Sequence, residues 1–139
     1  EDAIRFIERE VKRGAKYDII IADPPSFSRV SKTKTWDLEQ VAEQMCNLCV
    51  DLLAKPSDAT NGQATSPDQS FAGQGGLLAL STHSQNLPAQ VLRNLLYDLM
   101  GAKAGVDLFD LRIPEADSRR ELPAGSCLIA RFNGVTNLA

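Results

Sequence analysis

The sequence predicts an α/β fold. Three observations carry that expectation. Residues 17–23 read YDIIIAD, an apolar run of strand length that ends on an acid. Residues 76–81 read GLLALS, a second such run. Around them, residues 3–13 and 36–54 place apolar side chains at helical spacing.

The elements follow in order. Asp2 can cap a first helix over about residues 3–13, which Gly14 ends. Ile4, Ile7 and Val11 form its apolar stripe. The strand at residues 17–22 comes next. It must stop at Asp23, because Pro24 and Pro25 have no amide hydrogen for a sheet ladder. An apolar run of this kind, bounded by proline, reads as a fully buried parallel strand. Residues 26–35 read as a polar loop. Residues 36–54 read as a long helix, with Leu38, Val41, Met45, Leu48 and Leu52 on one face and Pro56 beyond its end. Residues 55–74 are rich in Ser, Thr, Asn, Gln, Gly and Pro without periodicity, and the expectation is a disordered insertion. A second buried strand covers residues 76–81. Pro88 opens a helix that runs to about Met100. Residues 106–113 and 126–132 read as two further strands, joined by a loop that holds Pro114, Pro123 and Gly125. Two parallel strands joined by a helix, then another helix, make a βαβα unit. The last two strands have no helix between them and should pair as an antiparallel hairpin.

Asp23 stands at the carboxyl end of its strand, the edge where open α/β sheets bind ligands. A rigid Pro-Pro turn can hold a carboxylate there to orient a substrate or cofactor, or the acid can merely cap the turn. The run Asp23-Pro24-Pro25-Ser26-Phe27, continued by Ser28-Arg29 and Ser31-Lys32, resembles motif IV of the class I S-adenosylmethionine-dependent methyltransferases. Within them it is most similar to the bacterial methyltransferases of large-subunit ribosomal RNA. Glu1-Asp2-Ala3 followed by Phe6-Ile7 resembles that family's motif III, and Gly75-Gly76-Leu77-Leu78 the start of its fifth strand. The stretch from Arg120 to Gly125 resembles the hairpin before its last strand.

The resemblance implies a Rossmann-like methyltransferase sheet, of which this chain supplies strands four to seven with their flanking helices. The family's glycine-rich cofactor turn follows a strand and opens a helix. Gly73, Gly75 and Gly76 precede a strand instead and read as a loop. The chain therefore reads as the carboxyl-terminal half of a methyltransferase domain, whose partner is the amino-terminal half. Such a half-sheet leaves one strand edge unpaired and a bare face beside it.

The resemblance further implies S-adenosylmethionine as cofactor and RNA, ribosomal or related, as substrate. Asp23, Pro24, Pro25 and Phe27 would form the catalytic motif. The Asp23 carboxylate and the Pro24 carbonyl can accept hydrogen bonds from a base amine, and Phe27 can stack on the base. Phe27 could equally plug the space beneath the loop. Asp2 and Asp23 would contact the cofactor, although Asp2 could be only a helix cap. Ser26, Arg29, Lys32 and His83 are the candidate substrate contacts. The basic loop of Arg29, Lys32 and Lys34 suits phosphate, or is simply solvated. His83 is the only histidine and falls at the end of the second strand, on the same edge as Asp23. It could act as a base or stacking group, or be an ordinary surface histidine.

Cytosine carbon-5 methylation needs a cysteine nucleophile, which the relevant subfamily carries just after its fifth strand. Here that place reads Ser81-Thr82-His83-Ser84. A nitrogen of guanine or adenine is therefore the expected target. Cys46 and Cys49 fall in mid-helix as small core residues, and Cys127 in the last strand as core. One C-x-x-C pair without a second ligand pair gives no zinc site. An ATPase reading of the Asp23 strand requires a phosphate loop of the G-x-x-x-x-G-K-[ST] type, and the sequence has none. A non-catalytic binding module is the alternative from a different class.

Composition sets the remaining bounds. The chain has 139 residues, 43% of them hydrophobic, which suits one domain with a small core. No apolar stretch approaches the roughly 20 residues of a membrane span. Three cysteines, an odd number without a secretory signal, fit a reducing compartment, and a cytoplasmic location is expected. The net charge of −3 gives no global attraction for nucleic acid, so any RNA contact must be local.

Overall fold

A computed structural model describes residues 2–29, 35–55, 75–101, 104–116 and 118–132. A four-stranded sheet carries the fold. In spatial order its strands are β1 (Ile19–Ala22), β4 (Leu77–Thr82), β6 (Glu121–Phe132) and β5 (Ala104–Pro114). Two short strands, β2 (Phe27–Arg29) and β3 (Thr35–Asp37), form a separate antiparallel pair. The helices are α1 (Ala3–Lys12), α2 (Leu38–Leu52) and α3 (Ala89–Met100). β1 and β4 run parallel, with Ile19 opposite Leu77 and Ala22 opposite Leu80. β6 returns antiparallel to β4 and pairs on its other side with β5, the hairpin expected from the sequence.

Strand side chains alternate between the two faces of a sheet. Leu78, Leu80 and Thr82 of β4, Leu128 and Ala130 of β6 and Val106 of β5 are buried. The apolar ones join a single cluster with Leu38, Met45, Cys46 and Cys49 of α2 and Leu92 and Leu96 of α3; Ile4 and Ile7 of α1 pack against it. All three helices therefore lie on one side. The opposite face presents Ile19, Ile21, Leu77, Ala79, Cys127 and Ile129, none of them fully buried. The strand at Ile19–Ala22 is thus not the fully buried one its composition suggested. Among the described residues it pairs on one side only, and Ile21 is 80% exposed on the face that carries none of the described helices.

Asp2 caps α1 by accepting from the amides of Ile4 at 3.1 Å and Arg5 at 3.4 Å. Ile4, Ile7 and Val11 are only half-buried, because α1 packs at the margin of the core. Its one fully buried residue is Glu10, held by Arg13 and by the Tyr17 hydroxyl, each at 2.8 Å. On α2 the buried face is rotated from the expected stripe. Ala42, Cys46 and Cys49 join Leu38, Met45 and Leu52 in the core, while Val41 and Leu48 are half-buried.

Two stretches expected as loops contain strand. Residues 27–29 pair as β2 within the expected polar loop, with β3 over residues 35–37, which takes the last residue of that loop and the first two of the expected helix, so that α2 starts at Leu38. Most of the expected insertion at 55–74 lies outside the described residues. Pro123 and Gly125 belong to β6 and not to a connection. β4 ends at Thr82 opposite Ser126, so residues 121–125 of β6 have no partner on that side. Proline is tolerated on such an open edge. Where the chain enters β4, a Cβ on Gly76 would lie 2.9 Å from the Tyr17 carbonyl oxygen and 3.1 Å from the Ala54 amide. Three segments converge there, which explains the glycine. No helix among the described residues is long and apolar enough to cross a membrane.

Leu128→Ala should lower stability by about 2–5 kcal/mol, because it leaves a cavity at a fully buried position. Ile21→Ala should change it by no more than about 0.5 kcal/mol. Urea unfolding of the two variants makes the comparison. Equal losses would mean that the second face of the sheet is covered.

Candidate active site

Asp23 follows directly on the last paired residue of β1. Because Ala22 lies opposite Leu80, the next residue along each strand brings Asp23 beside Ser81. The Ser81 hydroxyl donates a hydrogen bond to Asp23 Oδ1. His83 Nε2 lies 3.4 Å from the same oxygen. The other ring nitrogen of His83, Nδ1, meets the carbonyl oxygen of Ala124. The ends of β1 and β4 and the open-edged part of β6 thus meet at one point.

The Ser81 hydrogen bond holds the Asp23 carboxyl below the ordinary carboxylate range. Partial loss of water opposes this, and a protonated His83 adds to it. A folded-state value below the unfolded one stabilises the fold at neutral pH. That contribution is lost as pH falls through the folded-state value.

The Pro-Pro turn is fixed from two sides. Pro24 is buried and Pro25 exposed. The Trp36 indole donates to the Pro25 carbonyl at 2.7 Å. The Leu38 amide, opening α2, donates to the Ser26 carbonyl at 3.0 Å. Asp37 caps the same helix by accepting from the Glu39 amide at 3.1 Å. The Pro24 carbonyl has no donor among the described residues and is the acceptor left over. Phe27 is 64% exposed, so its ring does not plug the space under the turn. Arg29, two residues along β2, points to the same exposed side. Ser26 is half-buried, with its backbone tied to α2. Lys32 lies outside the described residues.

Two cavities flank this point. An apolar cleft of about 870 Å³ follows the free edge of β1, lined among others by Asp2, Ile4, Ile7, Ala22, Pro24 and Trp36. Its walls suit the faces of a planar base. Asp2, an acceptor-only group when ionised, stands at its margin. A polar cavity, also about 870 Å³, lies beyond His83 and is lined by Ser84, Asp110, Arg112, Arg119 and Glu121.

The cysteines divide into two kinds. Burial pushes the Cys46 thiol up to about 12, with Cys49 nearby adding to it, and Cys49 up to about 11. Neither is a nucleophile at neutral pH. Cys127 is not the core residue its strand position suggested. It is half-exposed, opposite Ser81 on the helix-free face.

Sequence reasoning paired Asp23 with His83 on one edge but missed Ser81, Trp36 and the Ala124–Gly125 corner. A signal for Ser81 existed. It sits two residues before His83 on a strand predicted to run parallel to Asp23's own.

No protein-family model matches the chain, and no curated protein sequence does. Solved structures do. The chain is similar to the SAM-dependent methyltransferase from Agrobacterium tumefaciens, with a TM-score of 0.60 and 25% identity over 96% of this chain and 38% of that one. It is also similar to SMU.776, provisionally assigned as a methyltransferase and complexed with SAH. There the TM-score is 0.60 and identity 16%, over 95% of this chain and 30% of that one. The fold is therefore the mixed α/β, Rossmann-like fold of methyltransferases. The chain spans less than half the length of either.

Under native conditions an alkylating reagent should label Cys127 and spare Cys46 and Cys49. Peptide mass mapping reads the sites, and labelling of either α2 cysteine at a comparable rate would contradict the burial. Ser81→Ala should raise the Asp23 carboxyl toward its ordinary value, a shift that ¹³C carboxyl NMR follows through an acid titration. An unchanged midpoint would remove Ser81 as the cause.

Proposed function

We propose that this chain belongs to an S-adenosylmethionine-dependent methyltransferase that methylates a base nitrogen, of guanine or adenine, in ribosomal RNA or a related nucleic acid. One observation carries the reading. A carboxylate held by Ser81 at the carboxyl end of a strand stands beside the open Pro24 carbonyl, with Phe27 and Arg29 on the adjoining exposed strand. Two acceptors, one held by the Ser81 hydroxyl and one a backbone carbonyl, can take the hydrogens of a base amine and turn its lone pair outward. An exposed aromatic ring can stack on that base, and an arginine two residues on can meet a phosphate. The shared fold supports the activity class.

The cofactor reading rests on the apolar cleft. Ile4, Ala22 and Pro24 would face an adenine ring, and Asp2 would accept from its amine while still capping α1. When bound, S-adenosylmethionine supplies an electrophilic methyl group on a sulfonium. The residues of this chain then have two tasks, to align the acceptor nitrogen and to manage its proton. The helix-free face and the free edge of β1 are where the amino-terminal half of a methyltransferase domain would pack. That half is the partner in this proposal, and the isolated chain is expected to bind the cofactor weakly.

A second reading keeps one observation in its favour. Cys127 lies on the open face beside Ser81, where a thiolate could attack carbon 6 of a cytosine. The two separate cleanly in the complete enzyme. With a base nitrogen as target, Asp23→Ala should cut methyl incorporation into RNA by more than about a hundredfold. The Cys46, Cys49 and Cys127 triple serine variant should stay within about tenfold of wild type. A folded but inactive triple variant would reverse the assignment to cytosine carbon 5. Full activity of Asp23→Ala would remove the carboxylate from the mechanism.

A further inference from the structure

The register of the β5–β6 ribbon slips once. Leu111 pairs with Gly125, but Arg112 pairs with Pro123, so Ala124 is the extra residue of a β-bulge. A bulge leaves its extra residue out of the ladder and re-aims it. Here the carbonyl so released is the one that His83 Nδ1 meets. The next residue, Gly125, has φ +125°. A Cβ there would fall 2.5 Å from the Thr82 carbonyl oxygen and 2.6 Å from His83 Nδ1. Only glycine lets the bulge close onto the imidazole.

We infer that the Ala124–Gly125 bulge positions His83 as the proton acceptor of the site, by fixing its neutral ring in the Nδ1–H form with Nε2 turned to Asp23. Both ring nitrogens face oxygens that can only accept, so a neutral ring satisfies one of them. The Ala124 carbonyl lies at hydrogen-bond distance from Nδ1 and Asp23 lies farther from Nε2, which places the hydrogen on Nδ1. In the neutral ring Nε2 then holds a lone pair 3.4 Å from a carboxylate oxygen. Two electron-rich atoms face each other, and a proton on Nε2 turns that repulsion into an ion pair. The other charged groups near the ring are Asp110 and Arg112 from β5 and Arg119 and Glu121 from the hairpin end. Arg112 pairs with both Glu121, at 3.0 Å, and Asp110, at 3.5 Å, which leaves Asp23 as the acid that acts on the ring.

The inference deepens the proposed nitrogen methylation and rests on it for its chemical purpose. The acceptor nitrogen forms its bond to the methyl carbon with its lone pair, while the electrons of the carbon–sulfur bond stay on sulfur. That nitrogen is left with one proton too many. The proton passes to His83 Nε2, where Asp23 balances its charge, and then to water. Ala124 and Gly125 act through the ring and are positioning residues.

His83 is the only histidine of the sequence, so its ring nitrogens can be read directly by long-range ¹H–¹⁵N correlation NMR. At about pH 9, above the ordinary range of an imidazole, Nδ1 should show the shift of a protonated nitrogen and Nε2 that of a bare one. The opposite pattern overturns the inference. Gly125→Ala should lose the Nδ1–H preference, and an unchanged pattern in that variant removes the positioning role. The wild-type spectrum decides even if Gly125→Ala fails to fold. In the complete enzyme, His83→Asn keeps a donor toward Ala124 but has no proton acceptor. Its rate should fall by about 10²-fold or more with RNA affinity retained, and a rate near wild type overturns the proton role. An Nδ1–H ring in an enzyme that methylates no RNA would refute the proposed function and leave the geometry standing.

Discussion

The parallel register between β1 and β4 is the constraint from which the site follows. Ala22 opposite Leu80 sets Asp23 against Ser81. A slip of one residue would turn Ile20 and Ala22 out of the core and separate the carboxylate from its hydroxyl donor. The register is enforced at both ends. The Leu77 amide donates to the Asp18 carbonyl at 2.8 Å at the start of the pair, and the prolines end β1 at its finish. Burial of Leu78 and Leu80 under the helices fixes the face that β4 presents inward. Core packing and site geometry are thus one specification, written in the same six residues of β4.

The sheet is asymmetric in its faces and in its edges. Helices on one side only leave Ile19, Ile21, Leu77, Ala79 and Ile129 on an apolar outer face. Parallel strands of this kind are ordinarily covered on both faces. The outer edges are treated differently. On β5 the Val106 carbonyl takes Arg93 Nε at 3.1 Å and the Tyr97 hydroxyl at 3.4 Å from α3, so side chains satisfy that edge at this one position. On β1 the edge borders the apolar cleft instead. The polar cavity arises at the other end, where β6 outruns β4 and bends away at its bulge.

Much of this was legible in the sequence because it depends on short-range rules. Proline cannot sit inside a ladder, so the end of β1 and the place of Asp23 could be read from Pro24 and Pro25 alone. Helical spacing located the first two helices, and Pro88 marked the start of the third. What escaped depended on contacts distant in sequence. The exposure of Ile21 follows from which elements lie beside it, not from its apolar neighbours. The inward line of α2 was set by the whole cluster it joins, α1 and α3 as well as the sheet, which favoured Ala42, Cys46 and Cys49 over the larger Val41 and Leu48. Pro123 and Gly125 read locally as loop residues. They stand in a strand because β4 stops short at Thr82 and leaves β6 an edge where proline and a bulge cost little.

The charge distribution bears on how such a chain could meet RNA with a net charge of −3. Several of its arginines are already neutralised by acids on neighbouring elements. Arg13 pairs with Glu10, Arg112 with Asp110 and Glu121, Arg120 with Glu115 and Arg131 with Asp107. Arg29 and Arg119 have no ion pair among the described residues. They stand on either side of the Asp23–His83 pair, one two residues beyond Phe27 on β2 and the other at the margin of the polar cavity. Other cations without an ion pair among the described residues, Arg5, Lys12, Lys16 and Arg93, lie on the helices or beside α1, so Arg29 and Arg119 are the ones placed to act at the site. Two cations neutralise few phosphates, so this surface would position a strand and contribute little affinity. Affinity for a long RNA would have to come from surfaces outside these residues, while the choice of acceptor atom would be made by Asp23, Pro24 and the ring of His83.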